Sequence, residues 1–580
     1  MPLRIADDWE EKNIIYENLK NDLSEHLKTI IPDKKKLKDK VEYLFNQLSA
    51  DWDALTIEGD DLEKACLDGK FIGAWEEHRE IFGYTLRSEL VYQLKKSLEQ
   101  VPDFKIEPSF KYILVDEFQD INALQFEAIK LIAEPLNNFF IVGDDDQSIY
   151  GFRGAAPDIL LNFERLYSDC SKIYLKTNYR TTSNILASAL SVINTNNNRY
   201  SKDLEAVNGQ GGLPVVFEAE DFEQEARIIA SRIGQMIKNG REFSDFAVIY
   251  RTNLQSRAVI DAFLDCRIPF ITFDGMISVY NHWIYKDIIS YLKLGTGLGD
   301  TRDFIRIMNK PKRYISRDMM EKAENCGGDF IQGIIGQGSL NRLQINGVFE
   351  LKNDLKRLGG MNPINAVRYI RNVMGYDEYL KEYAASKEIS IKGLSEIIEE
   401  IESSAGGFKS ILNYMQHAED VVEKLGQKEY TNSGHNNVKL LTMHKAKGLE
   451  FETVFICGTV EGLTPYIKDD SASKTDLEEE RRLFYVAMTR AKRELYIAVP
   501  KRRYGKAVRP SRFVEEFQKS IDYSSQVHAG QRVYHKIYYE GVVKEVIGKK
   551  GGTRIRVDFG GSIKELNLET CLNNEIIRLM

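Results

Sequence analysis

Two short apolar runs, each closed by acidic residues, constrain most what this chain can fold into. Tyr112-Ile113-Leu114-Val115 leads into Asp116-Glu117-Phe118-Gln119-Asp120. Phe139-Phe140-Ile141-Val142 leads into Gly143-Asp144-Asp145-Asp146-Gln147. A helical pattern around 123–132 separates them. Continuous apolar runs alternating with helices are the pattern of a parallel sheet with crossover helices. Similar runs recur at Phe246-Ala247-Val248-Ile249-Tyr250, Val438-Lys439-Leu440-Leu441, Thr453-Val454-Phe455-Ile456 and Glu494-Leu495-Tyr496-Ile497-Ala498-Val499, so a second α/β sheet is expected.

A chain of 580 residues is too long for one core and should divide into several domains. Residues 8–100 read as helices, with apolar positions at helical spacing through Leu37, Val41, Leu44, Phe45 and Leu48. Residues 286–430 carry helical patterns, for instance over 364–374 and 394–401, without comparable strands. They read as a helical insertion between two parts of one α/β domain. From about 527, period-two alternation with Gly551-Gly552 and Gly560-Gly561 turns predicts a small β-barrel of about five strands. The expected divisions are 1–107, 108–212, 213–285, 286–432, 433–520 and 527–580.

The net charge of −8 gives no global attraction to nucleic acid, so DNA binding would need local basic and aromatic positions. The six cysteines are scattered without a C-x-x-C pair, which reads as free thiols rather than a zinc or iron–sulfur site. There is no apolar run of membrane-spanning length, of about 18 residues, and no signal-peptide core near Met1. A cytoplasmic protein is expected.

The acidic residues carry the chemistry. Asp-Glu alone is only a solvated turn. At a strand end, where α/β sheets bind ligands, Asp116 can hold Mg²⁺ through water and Glu117 can deprotonate an attacking water. Gln147, beyond the next run, can sense a γ-phosphate. Tyr150, Phe152 and Arg153 offer rings for unpaired bases and a phosphate binder. In Asn178-Tyr179-Arg180-Thr181-Thr182, Tyr179 offers a ring for adenine and Arg180 a phosphate fork. Thr442-Met443-His444-Lys445-Ala446-Lys447-Gly448-Leu449-Glu450 mixes phosphate binders with an acceptor for a ribose hydroxyl. Arg490 ends a helix-like segment, from which it could reach a γ-phosphate; an arginine there is often only a dipole partner. One part is missing. No G-x-x-x-x-G-K-[ST] stretch occurs, and Gly69-Lys70, Gly505-Lys506 and Gly548-Lys549 are not followed by Ser or Thr.

Together VDEFQD, GDDDQSIYGFRGA, NYRTT, YRTNLQSRA, TMHKAKGLEF and EEERRLFYVAMTRAK resemble, in order and spacing, the UvrD/PcrA/Rep-type superfamily 1 DNA helicases. The resemblance runs from residue 112 to about 515. It implies two RecA-like parallel-sheet domains, the first incomplete here, with helical insertions and a C-terminal tudor/SH3-like barrel. It further implies a 3′→5′ translocase that uses ATP and Mg²⁺ on single-stranded DNA and single-strand/duplex junctions. By motif, Asp116 and Glu117 would be the Mg²⁺ and water-activating pair, and Gln147 the γ-phosphate sensor. Tyr179 would stack on adenine, Arg180 and Arg490 would contact the γ-phosphate, and Glu450 would sit near the ribose. Tyr150, Phe152, Arg153, His444 and Lys447 would serve the DNA track. In this family the terminal barrel can dock RNA polymerase.

Three departures stand out. The strand and phosphate loop with which the family opens precede a segment like residues 4–15, where this chain starts. Phe152 replaces a tryptophan. Pro311-Lys312-Arg313 is followed by Tyr314-Ile315-Ser316 instead of a Gly-Ile-Gly turn that touches duplex DNA. The expectation is a helicase inactive in ATP hydrolysis until a separate N-terminal fragment supplies the loop. The alternative is an ATPase-deficient DNA-binding or regulatory subunit.

Overall fold

The computed structural model describes residues 110–134, 136–273, 279–325, 329–338, 340–387, 389–426, 436–466, 474–520, 527–549, 552–573 and 576–579, with Arg4–Ile5 and Tyr84–Thr85. Those two dipeptides pair as parallel strands. The rest of the helical subdomain expected over 1–107 lies outside the described residues. The chain forms two compact units. One comprises Met1–Lys176, Ile193–Asp203 and Ser473–Tyr485; the other comprises Thr177–Val192, Leu204–Ala472 and Val486–Met580.

In the first unit, β1 (Ile113–Val115) lies parallel to β2 (Phe139–Ile141), with Ile113 opposite Phe139. The crossover is α1 (Ala123–Ala133). Its start is fixed by a capping box, in which Asn122 accepts from the Gln125 N–H and the Gln125 side chain accepts from the Asn122 N–H. Phe118 meets Phe126 and Phe163 edge-on at 5.9 and 5.5 Å, and Val115, Phe139 and Ile141 pack against this cluster. The continuous runs predict strands covered on both faces. Instead Leu114 and Phe140 are 70% and 59% exposed. Side chains alternate between faces along a strand, so the face away from the phenylalanines is uncovered in the structure.

The second unit contains a six-stranded parallel sheet. Its strands are β3 (Val215–Ala219), β4 (Phe246–Tyr250), β5 (Phe270–Thr272), β6 (Val438–Thr442), β7 (Phe451–Ile456) and β8 (Ala491–Pro500). Their spatial order is β3-β8-β7-β4-β6-β5, with every pair parallel. All five β4 residues are buried, as a central strand covered on both faces requires. The helices α2 (Phe222–Lys238) and α3 (Ser256–Asp265) follow β3 and β4. Between β5 and β6 the described residues are helical, including α4 (Ile391–Ala405), and hold no strand. The Tyr314 that departs from Gly-Ile-Gly has φ 58°, a left-handed conformation that glycine adopts freely. The Asn309 side chain holds that loop by accepting from the Arg313 and Ile315 N–H groups.

The C-terminal residues form an antiparallel sheet of β9 (Arg532–His535), β10 (Tyr539–Lys549), β11 (Gly552–Phe559), β12 (Ser562–Asn567) and β13 (Ile577–Leu579), in the order β12-β11-β10-β9-β13. Val533, Val543, Ile555, Val557 and Ile577 form its core. Cys170, Cys266, Cys457 and Cys571 are free thiols. Among the described residues no helix is long and apolar enough to cross a membrane.

Candidate functional site

Asp116 and Glu117 follow β1 directly and are exposed. Glu117 has φ 51°. A left-handed, non-glycine residue costs about 1–3 kcal/mol and persists only where its surroundings hold it. Two bonds do so. The Glu117 N–H donates to Asp116 Oδ1 at 2.8 Å, and Gln119 Nε2 donates to Glu117 Oε2 at 2.5 Å. Gln119 is buried, and its Oε1 accepts from the Asp144 N–H at 2.9 Å. Asp144 Oδ2 in turn accepts from Gln147 Nε2 at 2.6 Å. The ends of β1 and β2 are therefore tied through side chains from Glu117 to Gln147.

Below this chain lies a charged base. Lys202 Nζ pairs with Asp144, with Asp145 at 2.6 Å and with Asp146 at 2.8 Å. Arg199 grips Asp146 bidentately at 2.8 and 2.7 Å. Burial works to raise the Asp144 pKa, but Lys202 and the Gln147 and Asp146 hydrogen bonds outweigh it and hold the carboxylate below its usual range. Burial wins at Asp145, whose pKa is raised. The same three aspartates overcome burial at Lys202 and keep it firmly charged.

Asp116 fits Mg²⁺. Its carboxylate is a hard oxygen donor at a strand end, and among the described residues no cluster of three or more His, Cys, Asp or Glu could hold a metal. Mg²⁺ is commonly held by one or two carboxylates together with substrate phosphates and water. The ion would add Lewis-acid stabilisation of phosphate charge.

Tyr150 and Phe152 stand 6.1 Å apart, centroid to centroid, and tilted by 60°. Phe152 is 66% exposed. Between them the Gly151 N–H donates to Glu479 Oε1 at 2.9 Å, which fixes the turn Gly151–Arg153. The segment Glu478–Arg482 also grips residues 196–198 of the same unit. Arg481 donates to Asn196 Oδ1 at 2.6 Å, and Arg482 donates to the Asn198 carbonyl at 2.9 Å.

In the second unit the Asn178 side chain accepts from the Arg180 and Thr181 N–H groups, each at 2.9 Å. This turn leaves the Tyr179 ring 76% exposed. Arg180 Nε donates to Glu450 Oε2 at 2.8 Å, and Lys492 pairs with Glu450 at 2.9 Å. Hydrogen bonds from Arg180 and Lys492 hold the Glu450 carboxyl down at about 2. Arg490 does not project from its helix. It is 1% exposed, and its guanidinium donates to the carbonyls of Val486 at 3.0 Å and Leu449 at 3.2 Å. Those carbonyls face it because Phe451 and Arg490 join β7 and β8 at their starts, where the Phe451 N–H donates to the Arg490 carbonyl. Arg180, Glu450 and Arg490 thus gather where β7 and β8 begin. His444 and Lys447 are half-buried in the loop that leaves the opposite end of β6.

Sequence reasoning missed Gln119, Asp144, Arg199 and Lys202 as a bonded frame. Its signal was present only in part: Gln119 and Asp144 lie inside the motifs that carry Glu117 and Gln147, whereas Arg199 and Lys202 lie over fifty positions away.

The family model described as UvrD-like helicase C-terminal domain matches residues 173–334 and 348–502. That described as UvrD/REP helicase N-terminal domain matches residues 2–168. The chain is 37% identical to YjcD of Bacillus subtilis (strain 168) over 415 residues, which cover 70% of this chain and 54% of that protein. It is 30% identical to the ATP-dependent DNA helicase PcrA of Staphylococcus aureus (strain NCTC 8325 / PS 47) over 531 residues, covering 81% of this chain and 71% of that protein. With PcrA of Bacillus subtilis (strain 168) it shares 33% over 455 residues, 75% of this chain and 61% of that one. The chain thus spans about half the length of YjcD. With both family models matched and the strand-end acidic pair in place, the chain belongs to the UvrD/PcrA-type superfamily 1 DNA helicases.

Proposed function

We propose that the protein is a cytoplasmic ATP-dependent 3′→5′ translocase and helicase on single-stranded DNA and single-strand/duplex junctions. In this reading Asp116 holds Mg²⁺, Glu117 activates water, Gln147 senses the γ-phosphate and Arg180 meets its charge, while Arg490 can do so only once it leaves the Val486 and Leu449 carbonyls. Tyr179 stacks on adenine and Glu450 faces the ribose once Arg180 turns to phosphate. Tyr150, Phe152, Arg153, His444 and Lys447 serve the DNA strand. The observation that carries the reading is the bonded frame from Glu117 to Gln147, which joins a water-activating carboxylate to a phosphate-sensing amide.

Turnover also needs a phosphate cradle, and these residues contain no G-x-x-x-x-G-K-[ST] loop. We assign that loop to a further segment, separate or fused, that adds to the first unit. The exposed Leu114 and Phe140 support this, as apolar sheet-face surface that a crossover helix of such a segment would cover. We read the C-terminal sheet as a small barrel, and the exposed Ile537 and Tyr539 support a protein-docking role for it, for which the resemblance names RNA polymerase.

The test is DNA-stimulated ATP hydrolysis by the purified 580-residue chain, alone and with a loop-bearing strand–loop–helix segment fused ahead of it. Turnover should be negligible alone, because the backbone cradle and its lysine supply most of the electrostatic stabilisation of the phosphates. It should appear with the segment. Robust turnover by the chain alone would overturn the required-segment reading, and none in either form would overturn the motor.

A further inference from the structure

We propose that Gln119 is a positioning residue that couples Glu117 to Gln147, so that water activation and phosphate sensing respond as one unit. This rests on the function proposed above. Gln119 is 1% exposed and its amide is used at both ends. Nε2 donates to Glu117 Oε2 at 2.5 Å, and Oε1 accepts from the Asp144 N–H at 2.9 Å. The orientation of the amide follows from its partners, since a carboxylate needs a donor and an N–H needs an acceptor. Of the side chains of this length, only a neutral amide meets both needs. Its own backbone is tied as well, because the Ser148 hydroxyl donates to the Gln119 carbonyl at 3.1 Å.

The path continues on the far side. Asp144 takes Gln147 Nε2 on one oxygen and Lys202 on the other. If the Gln147 amide turns toward a phosphate, it must release Asp144 Oδ2, and the carboxylate then rests on Lys202 and the Asp146 N–H, on the same residue whose backbone N–H Gln119 accepts. The link ends on a left-handed Glu117, whose backbone alone does not fix the carboxylate. Close packing makes the coupling stiff. A Cβ on Gly143 would stand 2.8 Å from Gln119 Oε1 and 3.3 Å from its N, so this position must lack a side chain for the amide to sit where it does.

Two variants separate positioning from mere structure. Gln119→Glu keeps an acceptor for Asp144 but replaces the donor to Glu117 with a like charge. Gly143→Ala presses on the amide without altering any proposed reacting group. In the loop-complemented full chain, kcat should fall about tenfold to a hundredfold in Gln119→Glu, the scale of a misplaced catalytic group. In Gly143→Ala it should fall severalfold. The KM for ATP, the affinity for a fluorescent nucleotide and the single-strand affinity should stay within about twofold. A kcat within twofold of the parent in both variants overturns the coupling, as does nucleotide affinity falling in step with kcat. Glu117→Gln is the control. If it retains turnover, or if the parent has none, the functional reading falls and the role of Gln119 falls with it.

Discussion

At the scale of single residues, an acidic group outside the catalytic motifs makes the clearest claim on pH. Glu225, on α2, is buried, and its carboxyl accepts from the Gly458 N–H at 2.7 Å. Burial pushes its carboxyl up to about 8; the Gly458 hydrogen bond opposes the shift and Glu223 adds to it. The folded chain therefore holds a proton that the unfolded chain releases above its ordinary value of 4.5. The resulting stability is fully present below that value and is lost as pH rises through the folded pKa. Glu225→Gln keeps the acceptor and removes the ionisation. Its melting temperature should match the parent near about pH 5 and exceed it near about pH 9. Parallel curves for the two proteins would show that Glu225 does not titrate between the folded and unfolded states. No local pattern in the sequence marks this glutamate, because its burial comes from a strand end more than two hundred positions away. The strand-end placement of Asp116 and Glu117 was legible because both follow an apolar run directly.

Elements meet through charge as well as apolar packing. Arg257 of α3 is buried and bonds Glu400 of α4, Glu223 of α2 at 2.6 Å and Asp261 of α3 at 3.0 Å. Burial works against its charge, but Glu400 and Asp261 raise its pKa well above the ordinary value. Removing the shared cation leaves three carboxylates without it, of which Glu400 is the most buried. Arg257→Ala should therefore cost about 3–5 kcal/mol in urea unfolding. Lys381→Ala, which breaks the exposed pair with Glu378, should leave the urea midpoint close to that of the parent. Equal losses would mean that Arg257 does not join the helical insertion to α2 and α3. That insertion was readable from helical periodicity and a lack of strands. The strands β4, β6, β7 and β8 were readable as apolar runs, since a central parallel strand is buried on both faces. The edge strands β3 and β5 were not singled out. Val215-Val216-Phe217 and Phe270-Ile271-Thr272 are too short to distinguish from a loop, and their strand character comes from pairing with β8 and β6. The helix Leu568–Asn573 was hidden for the opposite reason, since strand alternation surrounds it.

For the molecule as a whole, charge decides how DNA can be held. A net charge of −8 repels a polyanion at long range, so affinity must come from a few local contacts. Two kinds are proposed, and salt separates them. A lysine on a phosphate releases counterions, so Lys447→Ala should weaken single-strand binding and reduce the slope of log affinity against log salt by about 0.7. Stacking releases no ions. Tyr150, whose ring lies beside that of Phe152, should contribute about 1–3 kcal/mol by stacking. Tyr150→Ala should therefore weaken binding at every salt concentration while leaving the slope unchanged, and across all base sequences alike. Fluorescence anisotropy with an unstructured oligonucleotide over a salt series reads both effects at once. A slope that falls in Tyr150→Ala would mean that the substitution displaced a phosphate contact instead. Unchanged affinity in that variant would remove Tyr150 from the strand path.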